Sequence, residues 1–126
     1  QVLIEIKKRK TTIKKEKVLI LGVSYKENCS DIRNSQILLL IKNIQNLNMD
    51  ITLVDPLVDS SQVFREIGIK SVEEIPKKQK YSIIIIALKH KQFNYLKNKD
   101  IKSLSDSNSI IFDITNHYFG KNIKHL

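Results

Sequence analysis

The chain has 126 residues, enough for one domain with a single hydrophobic core, and a formal net charge of +9. Its longest apolar run, Ile83–Leu88, is far shorter than the roughly 18 residues that a membrane span needs, so we expect no membrane segment. The single cysteine, Cys29, excludes an intrachain disulfide and favours a reducing, cytoplasmic environment.

The positive charge raises the question of nucleic-acid binding. The 22 basic residues are mostly lysines scattered along the chain, and only four tyrosines and four phenylalanines accompany them. No motif for stacking bases is present in the sequence. We therefore expect most of the charge to be solvated surface, and we keep a non-enzymatic, basic Rossmann-like module that binds nucleic acid as an alternative.

The first residues predict the end of a helix. Val2 and Ile6 are apolar and precede a basic run, which suits the last turn of a helix because cations there complement the helix dipole. We assign residues 1–16 to the end of a preceding helix plus a linker, residues 17–119 to one domain, and residues 120–126 to a frayed tail.

Strand and helix patterns alternate within the domain. Short apolar runs predict strands at Val18–Leu21, Ile51–Val54, just after Ile69, Tyr81–Leu88 and Ile110–Ile114. Helical periodicity and capping residues predict helices at Gln36–Asn48, Ser60–Ile67, a short one after Ser71, and Gln92–Leu96. The alternation predicts an α/β fold, a three-layer, Rossmann-like sandwich with a mostly parallel sheet of about five strands.

The stretch Lys17–Gln36 organises the rest of the chain. Its strand ends at Gly22, and a polar loop with Lys26, Asp31 and Arg33 leads into the next helix. In an open α/β sheet such a loop lies beyond the carboxyl end of the strand, where the free N–H groups of the helix face a ligand. The two cationic side chains predict that this ligand is an anion.

The sequence lacks the glycine pattern of a dinucleotide-binding turn. After Gly22 the next glycine is Gly68, so G-x-G-x-x-G is absent and we do not expect the domain to hold a dinucleotide pyrophosphate by itself. Asp55 ends the second strand, where a ribose-binding acid would stand, but it lies about 33 residues beyond Gly22, more than the usual twenty or so, and precedes Pro56. We favour a turn-forming role for Asp55.

The sequence predicts neither a metal site nor a catalytic residue. His90, His117 and His125 share no compact ligand spacing with Cys29. Cys29 lies on a cationic loop near a helix N-terminus, but no base is indicated that would partner it as a nucleophile.

The residues Gly22–Ser35, GVSYKENCSDIRNS, resemble a known signature, G-x-x-[FY]-K-x-[ND]-T-x-D-x-R-x-S. That signature opens the C-terminal, UDP-binding domain of the UDP-glucose/GDP-mannose dehydrogenase family. A second match, Val54-Asp55-Pro56, resembles the YDP turn of that family. Together with the element order, the resemblance covers roughly residues 17–119.

The resemblance implies roles for four residues. Tyr25 and Lys26 correspond to an aromatic–lysine pair that reaches the nucleotide-sugar from a partner chain or domain, and they are the expected substrate contacts. Arg33 resembles the arginine that contacts the nicotinamide cofactor, although a salt bridge to Asp31 is an alternative and both can hold at once. Asn116 stands where many members carry a basic substrate contact, and it is the expected substitute donor.

The resemblance further implies a fragment of an NAD-dependent nucleotide-sugar 6-dehydrogenase, inactive alone. Such enzymes oxidise the sugar C6 alcohol twice, using two NAD and a covalent thioester on a cysteine that lies upstream of this domain. The expected partners are a UDP-sugar, the missing N-terminal domain that binds most of the NAD, a central helical domain and a second copy in a homodimer.

The form K-x-N-x-x-D-x-R is similar to members that act on UDP-N-acetyl-hexosamines for surface polysaccharide synthesis. We keep a fragment of a UDP-glucose 6-dehydrogenase as the alternative within the family.

Overall fold

The computed structural model describes residues 2–9, 16–76 and 78–125. The elements in chain order are α1 (Val2–Arg9), β1 (Lys17–Leu21), α2 (Gln36–Gln45), β2 (Asp50–Val54), α3 (Ser60–Ile67), β3 (Tyr81–Ile86), a 3-10 turn (Lys91–Phe93), α4 (Asn98–Ser103), β4 (Ser105–Asp113) and β5 (Ile123–His125).

The sheet has five parallel strands in the order β2-β1-β3-β4-β5. Val72 adds an isolated parallel bridge to Val54 on the outer side of β2. If this bridge is counted as a vestigial strand, the order becomes 3-2-1-4-5-6, that of doubly wound dinucleotide folds. The order reverses between β1 and β3, and the ligand crevice of such sheets lies at that reversal.

Helices cover both faces of the sheet, which makes three layers. On one face, α1, α2 and α3 pack on side chains such as Val18 and Ile20 of β1. On the other face, the 3-10 turn and α4 pack on Leu19 and Leu21, the alternate residues of β1. Because both faces are covered, the strand is a continuous apolar run rather than an alternating one. The predicted three-layer, Rossmann-like sandwich is confirmed.

Capping residues fix the start of α2 and the end of α3. Ser35 is the N-cap of α2: its hydroxyl accepts a hydrogen bond from Leu38 N (3.3 Å) and donates one to Val23 O (2.7 Å). This pair of bonds ties the start of α2 to the end of β1. Gly68 ends α3 with φ +75, and its N–H donates to Phe64 O (2.7 Å).

Two predicted elements between α3 and the sheet edge are wrong. The third strand expected after Ile69 is reduced to the single bridge at Val72, and the helix expected after Ser71 is a bend at residues 73–74. Both predictions depended on very short sequence patterns. The backbone around Val72 instead pairs with β2, through Val72 N to Leu53 O and Asp55 N to Val72 O, each 2.9 Å.

The last part of the chain also departs from expectation. The helix predicted at Gln92–Leu96 is wrong, because the chain there forms only the 3-10 turn and a turn after it. The helix α4, which was not predicted, begins beyond it, and its first turn is closed by Asp100 accepting from Lys97 N (2.7 Å). The segment predicted as a frayed tail contains β5. Its Ile123 packs against the core on the α4 face of the sheet, and its Lys124 forms a salt bridge with Glu5 (3.1 Å). The helix predicted at the N-terminus is present as α1, and most of the predicted linker lies outside the described residues.

Gly22 is required where β1 meets its loop. Its φ is +96, and a Cβ added there would lie 2.6 Å from Cβ of Leu88 on the loop after β3. Gly68 has a similar φ of +75, but a Cβ there would meet open space.

We predict that Gly22→Ala lowers the free energy of unfolding by about 2–5 kcal/mol, because backbone strain and a clash add together. The matched control Gly68→Ala has the strain without the clash and should lose about 1–2 kcal/mol. Urea unfolding of both variants measures the difference. Equal losses would show that Leu88 can move aside and that the close approach imposes no constraint.

Candidate functional site

The loop between β1 and α2, residues 23–35, lies at the carboxyl edge of the sheet beside the loop that follows β3. Gly22 N donates to Val54 O, and Ala87 N donates to Leu21 O, both at 2.9 Å. The two loops therefore start side by side at the reversal of strand order, where open α/β sheets bind ligands.

The topology places the four predicted site residues at this edge. Tyr25 and Lys26 are exposed on the loop after β1, with Tyr25 55% exposed, and Arg33 is exposed near the start of α2. Asn116 is exposed on the loop after β4, with φ +58. No hydrogen bond joins these four side chains to one another in the described part of the chain, so they form an open surface rather than a closed pocket.

Asp55 ties together the ends of β1, β2 and β3. It is 1% exposed, and its Oδ2 accepts hydrogen bonds from Val23 N (2.8 Å), Ser24 N (3.3 Å) and His90 Nε2 (3.0 Å), while Oδ1 accepts from Leu57 N (2.9 Å). Burial raises the pKa of Asp55, but the bonds from His90, Val23 and Leu57 outweigh it and hold that pKa below its usual range. The bond to Leu57 N confirms the turn-forming role predicted for Asp55.

The same bonds decide whether this turn suits a dinucleotide. In dinucleotide-binding folds the N–H groups of the first turn point at the pyrophosphate. Here the N–H groups of Val23 and Ser24 already donate to the carboxylate of Asp55. The turn therefore does not fit a pyrophosphate.

His90 is the buried residue that sequence reasoning missed as part of this site. Its ring is fully buried, and Nδ1 accepts a hydrogen bond from Asn28 N (2.8 Å) while Nε2 lies 3.0 Å from Asp55 Oδ2. Because Nδ1 is an acceptor, the proton lies on Nε2 and is donated to Asp55. Asn28 completes the link, since its Oδ1 accepts from Lys91 N (2.8 Å). The only sequence signal was the position of His90 at the end of β3.

Internal bonds shape the rest of the loop. Tyr25 N donates to Asp31 O (2.7 Å), and Ser24 Oγ donates to Lys26 O (2.8 Å). Cys29 is half-buried, and its Sγ accepts from Asp31 N (3.4 Å). This contact closes the loop and is not a nucleophile–base pair.

Arg33 forms the salt bridge that the sequence offered as an alternative. Its Nη2 lies 2.8 Å from Asp31 Oδ2, and Nε lies 3.1 Å from both carboxylate oxygens. The side-chain bonds from Arg33, followed by the bond from its backbone N–H, lower the pKa of Asp31 to about 2. The pKa of Arg33 is raised by the same bonds.

Asp113, at the end of β4, organises the loop that carries Asn116. It is fully buried and accepts hydrogen bonds from Thr115 N (2.9 Å), His117 N (2.8 Å) and Tyr118 N (2.7 Å). These bonds wrap the backbone around one carboxylate. Asn116 lies at the outside of that turn and faces solvent.

Two further features of the described residues bear on function. No three His, Cys, Asp or Glu side chains among them converge as metal ligands. None of the described helices has the length and apolarity needed to cross a bilayer.

The sequence profile of the UDP-glucose/GDP-mannose dehydrogenase family, UDP binding domain, matches residues 19–119. The chain belongs to this family. Its match to the UDP-binding domain includes the loop after β1 and ends just after the loop that carries Asn116.

Curated relatives within the family include UDP-N-acetyl-D-glucosamine 6-dehydrogenase of Salmonella typhi, 36% identical over 107 residues, which cover 85% of this chain and 25% of that protein. The Pseudomonas aeruginosa protein of the same name is 28% identical over 107 residues, again 85% of this chain and 25% of that protein. The chain thus spans about a quarter of the length of these relatives.

Solved structures show the same fold. A UDP-D-ManNAc dehydrogenase from Pyrococcus horikoshii matches with a TM-score of 0.70 and 21% identity, over 98% of this chain and 28% of that chain. The UDP-N-acetyl-mannosamine dehydrogenase Cap5O from Staphylococcus aureus matches with a TM-score of 0.65 and 21% identity, over 98% of this chain and 29% of that chain.

We predict that the Arg33–Asp31 salt bridge controls the titration of Asp31. Carbon-detected NMR should find the pKa of Asp31 near 2 in the native chain. Arg33→Ala should raise it toward about 3.9, the usual value for aspartate, but not fully, because the backbone N–H of residue 33 still donates to Asp31. The control Arg65→Ala, on α3, should leave it unchanged. A value near 3.9 in the native chain would mean that the pair does not persist in solution.

Proposed function

We propose that this chain supplies the UDP-sugar-binding wall of an NAD-dependent nucleotide-sugar 6-dehydrogenase. The observation that carries the proposal is the loop after β1. There Tyr25 and Lys26 are exposed on a loop held by internal hydrogen bonds, at the carboxyl edge of the sheet of a UDP-binding-domain fold. The exposed side chains suit a cleft whose other wall comes from another domain or chain. The predicted domain of residues 17–119 is part of this proposal, extended through β5, which belongs to the same sheet.

The favoured substrate is a UDP-N-acetyl-hexosamine, oxidised at C6 to its uronic acid. Two curated relatives are named for UDP-N-acetyl-D-glucosamine and two structural neighbours for UDP-N-acetyl-mannosamine, which supports this class over UDP-glucose. We place the enzyme in the cytoplasm and in surface polysaccharide synthesis.

Each proposed contact follows from side-chain chemistry. The ammonium of Lys26 supplies a compact positive charge for an anionic group of the nucleotide-sugar. The ring of Tyr25 is free to pack against the ligand, and the amide of Asn116 can donate a hydrogen bond without adding charge.

Arg33 is the proposed cofactor contact. Its Nε and Nη2 are committed to Asp31, and Nη1 makes no hydrogen bond among the described residues. The guanidinium can therefore hold its internal partner and still reach a phosphate oxygen.

The hydride acceptor is NAD, which supplies the redox chemistry when bound. We propose that it is held mainly by an N-terminal domain of the same enzyme, because the first turn of this domain has its N–H groups occupied by Asp55. A central helical domain and a second subunit complete the proposed assembly. This chain alone contributes binding and no catalytic residue.

We predict that Lys26→Ala in the full-length dehydrogenase lowers turnover more than tenfold, because a charge contact to the substrate is lost. The control Lys70→Ala removes another exposed lysine, which lies just after α3 and outside this loop, and should leave turnover unchanged. Steady-state kinetics with saturating NAD makes the comparison. Unchanged kinetics for Lys26→Ala would remove Lys26 from the site, and equal losses in both variants would indicate a nonspecific effect of net charge.

A further inference from the structure

We propose that His90 is a positioning residue that fixes the tip of the loop after β1, and through it Lys26, for substrate binding. This inference rests on the proposed function of Lys26. His90 has no access to a ligand, because its side chain is fully buried, so it acts only through the loop.

The tip of the loop has few attachments to the rest of the protein. Among the described hydrogen bonds, residues 26–30 reach beyond their own loop only at Asn28. Its N–H donates to His90 Nδ1, and its Oδ1 accepts from Lys91 N, both at 2.8 Å. The other ties of the loop lie at its two ends, at Val23 and Ser24 on one side and Ser35 on the other.

The ring of His90 is itself held rigidly. Asp55 Oδ2 lies 3.0 Å from Nε2, and the ring of Phe93 stacks at 5.6 Å between centroids. Asp55 is in turn fixed by backbone N–H groups of β1's loop and of its own turn. Asn28 therefore donates to an acceptor whose position is set by residues at the ends of β2 and β3.

The conformation of Asn28 makes the tether specific. Its φ is +58, a left-handed geometry that asparagine tolerates better than most residues. In that conformation its backbone N–H and side-chain oxygen bond two consecutive residues, His90 and Lys91. Lys26 is two residues away, so loss of the tether frees the segment that carries it.

Two substitutions separate the bonds of His90. In His90→Asn, the side-chain oxygen stands close to the place of Nδ1 and can still accept from Asn28 N. In His90→Gln, the amide nitrogen stands close to the place of Nε2 and can still donate to Asp55. Both variants lose the ring that stacks on Phe93, and His90→Asn also removes a donor from the buried carboxylate of Asp55, so a merely structural role predicts that His90→Asn loses at least as much as His90→Gln.

The test is kcat/KM for the UDP-sugar in the full-length enzyme. We expect His90→Gln to lower it about tenfold and His90→Asn to stay within about threefold of the native value. In the Lys26→Ala background, His90→Gln should have little further effect, because the two residues act through one contact. Equal losses in the two His90 variants, or full additivity with Lys26→Ala, would overturn the inference.

Two measurements keep the inference testable if the buried variants fold poorly. Asn28→Gly keeps the backbone geometry and removes only the bond to Lys91 N, and it should lower kcat/KM about threefold; no change would contradict the tether. Nitrogen NMR of the native enzyme should find neutral His90 protonated at Nε2, and protonation at Nδ1 would overturn the geometry. If Lys26→Ala itself has no effect, the proposed function fails. If Lys26→Ala lowers kcat/KM but the His90 and Asn28 variants do not, only the role of His90 is refuted.

Discussion

The buried carboxylate of Asp55 is the contact on which the ligand edge of this domain depends. Its two oxygens accept four hydrogen bonds, from the turn after β1, the turn after β2 and the residue His90 after β3. A buried carboxylate needs such donors because burial removes its hydration. The N–H groups of the first turn, which bind phosphate in dinucleotide folds, here donate to an internal carboxylate. The domain therefore has the strand order of a dinucleotide fold, but its first turn offers a ligand exposed side chains rather than free N–H groups.

Asp113, at the end of β4, accepts hydrogen bonds from the following loop in the same way. Each acid ends a strand, is buried, and gathers backbone N–H groups from the loop that follows it. The loops that carry Tyr25, Lys26 and Asn116 are thus shaped by the interior of the protein, which leaves those side chains exposed. Loops held by internal bonds, with exposed side chains, suit a binding wall that is completed by another domain, because the loop geometry is formed before the ligand binds.

Much of the fold could be predicted from the sequence because it follows from apolar runs and capping residues. The predicted bounds of β1 and β2 differ from the structure by one residue, and those of α3 agree. The short α4 and β5 were missed because α4 buries only Ile101 and β5 contributes only the half-buried Ile123, too few residues for a periodic signal. His90 was not predicted as a site residue because its partners Asp55 and Asn28 lie 35 and 62 residues away in sequence, and only the folded sheet brings them together.

The most direct test of the account is a titration of this chain with UDP, followed residue by residue through backbone amide NMR shifts. Binding at the proposed edge predicts the largest shifts in residues 23–34 and 113–118. Away from this edge the chain has an open groove of about 700 Å³, near the start of β4 and β5, lined by lysines that include Lys99 and Lys121. Shifts confined to that groove, with residues 23–34 unmoved, would contradict the account.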